Sequence, residues 1–146
     1  MTVKHSIECW VFGPDQRVLL LQVPAQPGKH EAFWQPITGG MENAETAPQA
    51  ALRELSEETG LQVAERDLTE VATGLEVVIS PELTISKTLY VAQAPHGEVI
   101  VNPHEHQAHQ WLPPTEVAGV LFWESNRETW KLVGRHHRLG VHDNEA

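Results

Sequence analysis

Arg53, Glu54, Glu57 and Glu58 crowd into two turns' length of chain, inside the stretch Gly39 to Leu61 that reads GGMENAETAPQAALRELSEETGL. On a helix advancing about 100° per residue these four side chains fall within an arc of roughly 140°, with Leu52, Leu55 and Thr59 on the opposite side. Three carboxylates then share one face. Like charges one turn apart, such as Glu54 and Glu58, repel by a few tenths of a kcal/mol, and Arg53, four residues before Glu57, offsets only part of this. Two readings follow: a solvated acidic surface, or a site for a hard divalent cation, Mg²⁺ with Mn²⁺ as substitute, held by oxygen ligands. The preceding loop favours the second. Gly39 and Gly40 permit close backbone approach, and Glu42 and Glu45 can fold back beside the helical acids, so that phosphate and metal meet there.

The elements that must position these groups are legible as punctuation. Ser6 to Phe12 is apolar and β-branched, Gly13-Pro14-Asp15 is a turn, and Val18 to Leu21 continues as a buried strand, which together make a hairpin. Pro24 to Glu31 is a loop, and Phe33 to Ile37 is a short extended piece ending at Thr38-Gly39-Gly40. Thr46 with Gln49 has the form of a capping box, and Gly60 is a natural C-terminal stop, so the acidic segment between them is predicted helical. Leu75 to Ser80, Thr84 to Ala92, Val99 to Val101 and His109 to Leu112 read as strands. A second helix, opened by a Ser125 and Glu128 capping box, is expected from Asn126 to about His136, with a frayed tail from Gly140 to Ala146.

The bulk composition narrows the class. A chain of 146 residues, 40% hydrophobic and 21% charged, is expected to fold as one domain spanning 1–146. Ten Lys and Arg against twenty Asp and Glu give a formal charge of −10, which argues against a nucleic acid polymer as partner. Cys9 stands alone, so an internal disulfide or a paired-cysteine zinc site is excluded and a reducing cytoplasm is expected. The first residues lack a signal-peptide core and no run is long enough to cross a bilayer, so neither export nor membrane insertion is expected. Composition leaves the choice between monomer and homodimer open.

The segment Gly39 to Leu61 resembles the Nudix box, G-x5-E-x7-R-E-U-x-E-E-x-G-U with U apolar, and matches it at Gly39, Glu45, Arg53, Glu54, Leu55, Glu57, Glu58, Gly60 and Leu61. The resemblance implies an α/β fold, the Nudix-type α/β/α sandwich with a mixed β-sheet. It implies that Glu54, Glu57 and Glu58 bind catalytic cations, with Glu54 either a ligand or the base. Arg53 would orient Glu57, Gly39 and Gly40 would face the phosphates through their backbone, and Glu45 would brace the loop or reach a metal through water. His104-Glu105-His106 followed by Trp111-Leu112 resembles the EH-xxxx-WL pattern of the dihydroneopterin triphosphate and dATP pyrophosphohydrolase branch, which makes Glu105 a further catalytic and metal-approaching acid.

The activity so implied is Mg²⁺-dependent cleavage of a nucleoside or pterin triphosphate to a monophosphate and pyrophosphate. Other Nudix substrates are the alternative: ADP-ribose, sugar nucleotides or dinucleoside polyphosphates. A non-catalytic nucleotide-sensing module stands behind both. Glu76, Val77 and Val78 occupy the places where the ADP-ribose and diadenosine polyphosphate branches tend to carry proline or tyrosine, which weakens those readings. His104, His106 and His109 are taken as incidental to a loop, and Trp34, Trp123 and Trp130 as packing residues. Phe33 and Trp34, just before the box, are the candidates for stacking on a substrate ring.

Overall fold

β1 (Thr2–Phe12) is a strand buried on both sides over its second half, and its alternation sorts the whole molecule. In this computed structural model, which describes residues 1–137, Ile7, Cys9 and Val11 point to one core and Trp10 and Phe12 to another. A continuous apolar run covered on two faces belongs to a central strand, here flanked by helices on each side of the sheet. β1 runs parallel to β6 (Leu83–Gln93) along its full length, from Thr2 opposite Leu83 to Phe12 opposite Gln93. β6 is antiparallel to β5 (Leu68–Ser80), so the sheet is mixed, with the order β3-β2-β1-β6-β5.

The predicted hairpin forms: Val11 pairs Leu19 and Phe12 pairs Val18 where β1 meets β2 (Val18–Val23). β2 then leaves β1 to pair with β3 (Phe33–Gln35) and β7 (Ala108–Leu112). The vacated edge of β1 is taken by β4 (Ile37–Gly40), with Ile7 opposite Gly39. That pairing fixes the glycine loop against the middle of the central strand.

α1 (Ala47–Thr59) begins as the sequence requires, with Thr46 and Gln49 exchanging the two hydrogen bonds of a capping box, and stops at Gly60, whose φ of 74° is left-handed. Ala50, Ala51 and Leu55 pack it onto the Ile7, Cys9 and Val11 side. α3 (Glu124–His137) covers the other side through Trp130 and Val133, with the Trp130 ring tilted against Trp10 at 5.0 Å between ring centroids.

Four expectations need correction. Val99 to Val101 is not a strand: Ile100 donates its N–H to the Thr59 carbonyl at 2.9 Å, so the segment ties the end of α1 down. β5 starts at Leu68 rather than Leu75, because Gly74, with φ 70°, is absorbed within an irregular stretch of the ladder instead of ending it. A short helix, α2 (Pro114–Val120), was hidden by its two prolines, one of which sits in the first turn where proline is tolerated. α3 starts at Glu124, so Ser125 lies inside it and cannot cap it as expected. The tail expected to fray from Gly140 lies outside the described residues.

Candidate active site

The helix face carrying the acids is not the exposed one. Glu54 and Glu58 are buried alongside Ala51, Leu55 and Thr59, and only Glu57 among the three faces solvent, so the acidic arc overlaps the packed side instead of opposing it. Leu52, expected opposite the acids in the core, is only half-buried. A glutamate in the core needs partners for its oxygens. Glu58 is 1% exposed and neither of its carboxylate oxygens has a hydrogen-bond partner. Burial, reinforced by Glu54, Glu105 and Glu57 nearby, pushes its carboxyl up to about 10.

Gly39 explains how the loop reaches this point. A Cβ on Gly39 would collide with the Glu54 carboxyl unless that side chain moved aside, so glycine lets β4 pass directly over the acid as it stands. Arg53 then clamps the loop from outside. Its Nε donates to Glu45 Oε2 at 2.7 Å and its Nη2 to Glu45 Oε1 at 3.1 Å, a bidentate pair, while Nη2 also donates to the Gly40 carbonyl at 2.9 Å. Nη1 reaches Glu54 Oε2 at 3.1 Å and Glu57 Oε1 at 3.3 Å. Arg53 thus contacts Glu57 but is committed first to Glu45, whose carboxyl it holds below the usual range. Glu45 Oε1 also accepts from the Glu42 N–H at 2.9 Å, an arrangement that braces the loop.

Glu105 lies exposed on the turn before β7, close enough for its charge to raise the Glu58 carboxyl. Its neighbour His106 is the residue sequence reasoning dismissed. It is 3% exposed, its Nε2 stands 3.9 Å from Glu58 Oε1 and 3.4 Å from Gln35 Nε2, and its Nδ1 has no partner. Burial lowers its pKa, so the ring is neutral at pH 7 and the contact with Glu58 is not an ion pair. His104 and His109 are exposed. The only signal for His106 was its place next to Glu105, where the chain must turn back into β7.

The aromatic candidates divide differently than expected. Phe33 is 9% exposed and packs against Phe122 and Trp123, with ring centroids at 5.9 and 5.4 Å, and Trp34 packs against the core cluster of Trp10 and Phe12. Trp123, expected to be packed, is instead 43% exposed on a cleft of about 380 Å³ that runs from Gly39 past Gln35, Lys87 and Asn126. Trp130 is packed in the core as read.

The donor set fits a hard divalent cation: buried carboxylate oxygens without partners, and a glycine edge at which phosphate oxygens can approach. Among the described residues no group of three or more His, Cys, Asp or Glu side chains is arranged to hold a metal ion by itself.

The NUDIX domain family matches residues 4–133. The chain is similar to dihydroneopterin triphosphate diphosphatase of Escherichia coli K12, with 36% identity over 135 residues covering 84% of this chain and 87% of the relative. It is also similar to CTP pyrophosphohydrolase of the same strain, at 33% over 105 residues and 70% of each chain. Among solved structures it resembles the E. coli dihydroneopterin triphosphate pyrophosphohydrolase, with a TM-score of 0.69, 30% identity, and coverage of 90% of this chain and 96% of that one. With the box residues gathered around Glu58 and the match extending over nearly all the described residues, the chain belongs to the Nudix hydrolase family.

Proposed function

We propose that this protein is a Mg²⁺-dependent pyrophosphohydrolase that cleaves a nucleoside or pterin triphosphate to the monophosphate and pyrophosphate. The observation that carries the reading is Glu58: a carboxylate buried to 1% with both oxygens unpartnered, beside Glu54 and under the Gly39 edge. A fold keeps such a group at a cost unless something from outside completes it. The similarity to two E. coli enzymes whose names specify triphosphate substrates supports this choice among phosphoanhydrides.

Glu54, Glu57 and Glu58 would hold the cation, which when bound neutralises charge growing on the phosphate oxygens. Gly39 and Gly40 let the triphosphate approach the helix, and Arg53, through Glu45 and the Gly40 carbonyl, keeps that loop in place. Water attacks one phosphorus, the anhydride P–O bond breaks on the opposite side, and the water's proton passes to a carboxylate, Glu54 or Glu105. His106 and Gln35 wall off Glu58 from bulk solvent. The setting is the cytoplasm, where the buried thiol of Cys9 stays reduced.

The test is pyrophosphate and phosphate release from a panel of nucleoside triphosphates, dihydroneopterin triphosphate and ADP-ribose, with Mg²⁺, with Mn²⁺ and after chelation. Pyrophosphate from a triphosphate, abolished by chelation, is expected. Full turnover by metal-free enzyme, or cleavage of ADP-ribose alone, would overturn the proposal.

A further inference from the structure

Glu8 sits in the middle of β1, fully buried, on the side facing α3. Nothing in the sequence patterning prepares for a carboxylate in the run Ile7 to Phe12, and the proposed chemistry does not use it. Its oxygens are filled. Lys87 Nζ donates at 2.6 Å, Trp10 Nε1 at 2.9 Å and Asn126 Nδ2 at 3.2 Å, and Thr129 Oγ1 donates as well. An ionised carboxylate only accepts, so Asn126 must turn its Nδ2 toward Glu8, which leaves Oδ1 as the acceptor the amide has to offer elsewhere. Lys87, with three donors and one given to Glu8, has others to offer.

Both side chains line the cleft that begins at Gly39. Trp123 and Val77 supply apolar surface on its walls, and Gly39 belongs at once to the cleft and to the edge lying on Glu54. A molecule whose phosphates reach the acidic cluster therefore has its remaining part carried into this space. Asn126 and Lys87 stand on that wall beside an aromatic face, an arrangement that suits a planar heterocycle.

We propose that Glu8 is a positioning residue that fixes the hydrogen-bonding pattern of a ring-reading wall, with Asn126 Oδ1 accepting from a ring N–H and Lys87 Nζ donating to the adjacent ring carbonyl. The ligand class is a triphosphate whose ring carries that oxo-imino edge. A carbonyl oxygen, with two lone pairs and more negative charge than a ring nitrogen, is the better partner for a compact ammonium. The inference rests on the reading of the acidic cluster as the phosphoanhydride site and adds to it which rings are accepted.

Inosine and adenosine triphosphates make the matched pair, since their rings have one size and exchange donor for acceptor along this edge. Wild-type enzyme with Mg²⁺ is expected to favour the inosine form in kcat/KM by at least about tenfold, mostly through KM, because the wrong edge leaves buried polar groups unpaired. Glu8→Gln keeps the side-chain size but can donate as well as accept, so the Asn126 amide loses its fixed orientation. The preference should then fall to within about threefold, with KM for inosine triphosphate rising and kcat changing much less. Lys87→Gln guards against misfolding, because a neutral amide can still donate to Glu8 and leaves Trp10, Asn126 and Thr129 with their acceptor. Its melting temperature should stay within a few degrees of wild type while the ring preference disappears. A preference for the adenosine form, an unchanged preference in both variants, or a fall in kcat alone and equal for both nucleotides would overturn the assignment. Failure of the wild type to release pyrophosphate from any triphosphate would instead remove the phosphoanhydride reading beneath it.

Discussion

Glu8 and Glu58 are glutamates at 0% and 1% exposure on opposite sides of one sheet, and they solve the same physical problem in opposite ways. Glu8 is surrounded by four donors from β1, β6 and α3, so the fold itself replaces the water it lost. Glu58 has no donor, stands among Glu54, Glu57 and Glu105, and has its carboxyl pushed up to about 10. A buried charge compensated from within acts on shape and register, whereas one left uncompensated marks where a ligand must enter. The two sites meet at Gly39, which touches Glu54 and lines the cleft beside Lys87 and Asn126.

That contrast breaks most visibly if Glu8 alone is made apolar. Glu8→Leu strands the Lys87 ammonium at 12% exposure and should cost about 3–5 kcal/mol in urea unfolding, only partly recovered by adding Lys87→Leu because Trp10, Asn126 and Thr129 still lose their acceptor. A cost below about 1 kcal/mol would mean that the four donors do not hold the site together. On the other side of the sheet the expected loss is in rate instead of stability. Glu54→Gln and Glu57→Gln should each lower kcat by at least about a hundredfold, about 2.7 kcal/mol of transition-state stabilisation, with the melting curve preserved. Stability loss with kcat intact would reverse the assignment of roles.

The pH dependence contributed by Glu58 comes next. The folded Glu58 keeps its proton to about 10 while the unfolded chain releases it near 4.5, so its contribution to stability is whole below 4.5 and is lost as pH rises toward 10. Metal-free protein should therefore lose stability as pH rises through that window, and saturating Mg²⁺ should flatten the slope. Thermal melts at several pH values with and without Mg²⁺ measure it; a slope indifferent to the cation would detach Glu58 from metal binding. The smallest effect concerns Glu105, which is exposed and acts on Glu58 through space. Glu105→Gln should lower kcat by about tenfold with little change in KM, while Glu116→Gln, in the first turn of α2, should be nearly silent. Equal near-wild-type kcat for both would return Glu105 to the ordinary surface.

What the sequence disclosed follows from how local each signal is. Thr46, Gln49 and Gly60 set both ends of α1 through contacts within a few residues, and they are legible for that reason. The hairpin of β1 and β2 and the positions of β6 and β7 follow likewise from alternation and turn residues. The start of the strand expected at Leu75 and the Val99 to Val101 segment differ from expectation because their outcome depends on partners far along the chain, a ladder that tolerates an irregularity and the Thr59 carbonyl. The burial of Glu54 and Glu58 was hidden for a related reason: hydrophobic patterning assigns charged residues to solvent, and here Ala50, Ala51 and Leu55 pull the acidic arc inward with them. His106 acquires its place against Gln35 of β3, and Trp123 and Asn126 theirs beside Gly39 of β4, through contacts between distant segments that no spacing within one element encodes.

The most direct test of the central claim, that Glu58 is left uncompensated for the sake of a divalent cation, is to measure stability and turnover together in Glu58→Gln. Without metal, the wild-type carboxyl must take up a proton on folding at pH 8, a cost that the amide does not carry, so the melting temperature at pH 8 should stay the same or rise by several degrees. With saturating Mg²⁺, the same variant should release pyrophosphate at least about a hundredfold more slowly than wild type and gain no thermal stability from the cation. A variant that melts lower than wild type without metal yet turns over at a near-normal rate would contradict the account, because Glu58 would then be a structural carboxylate like Glu8.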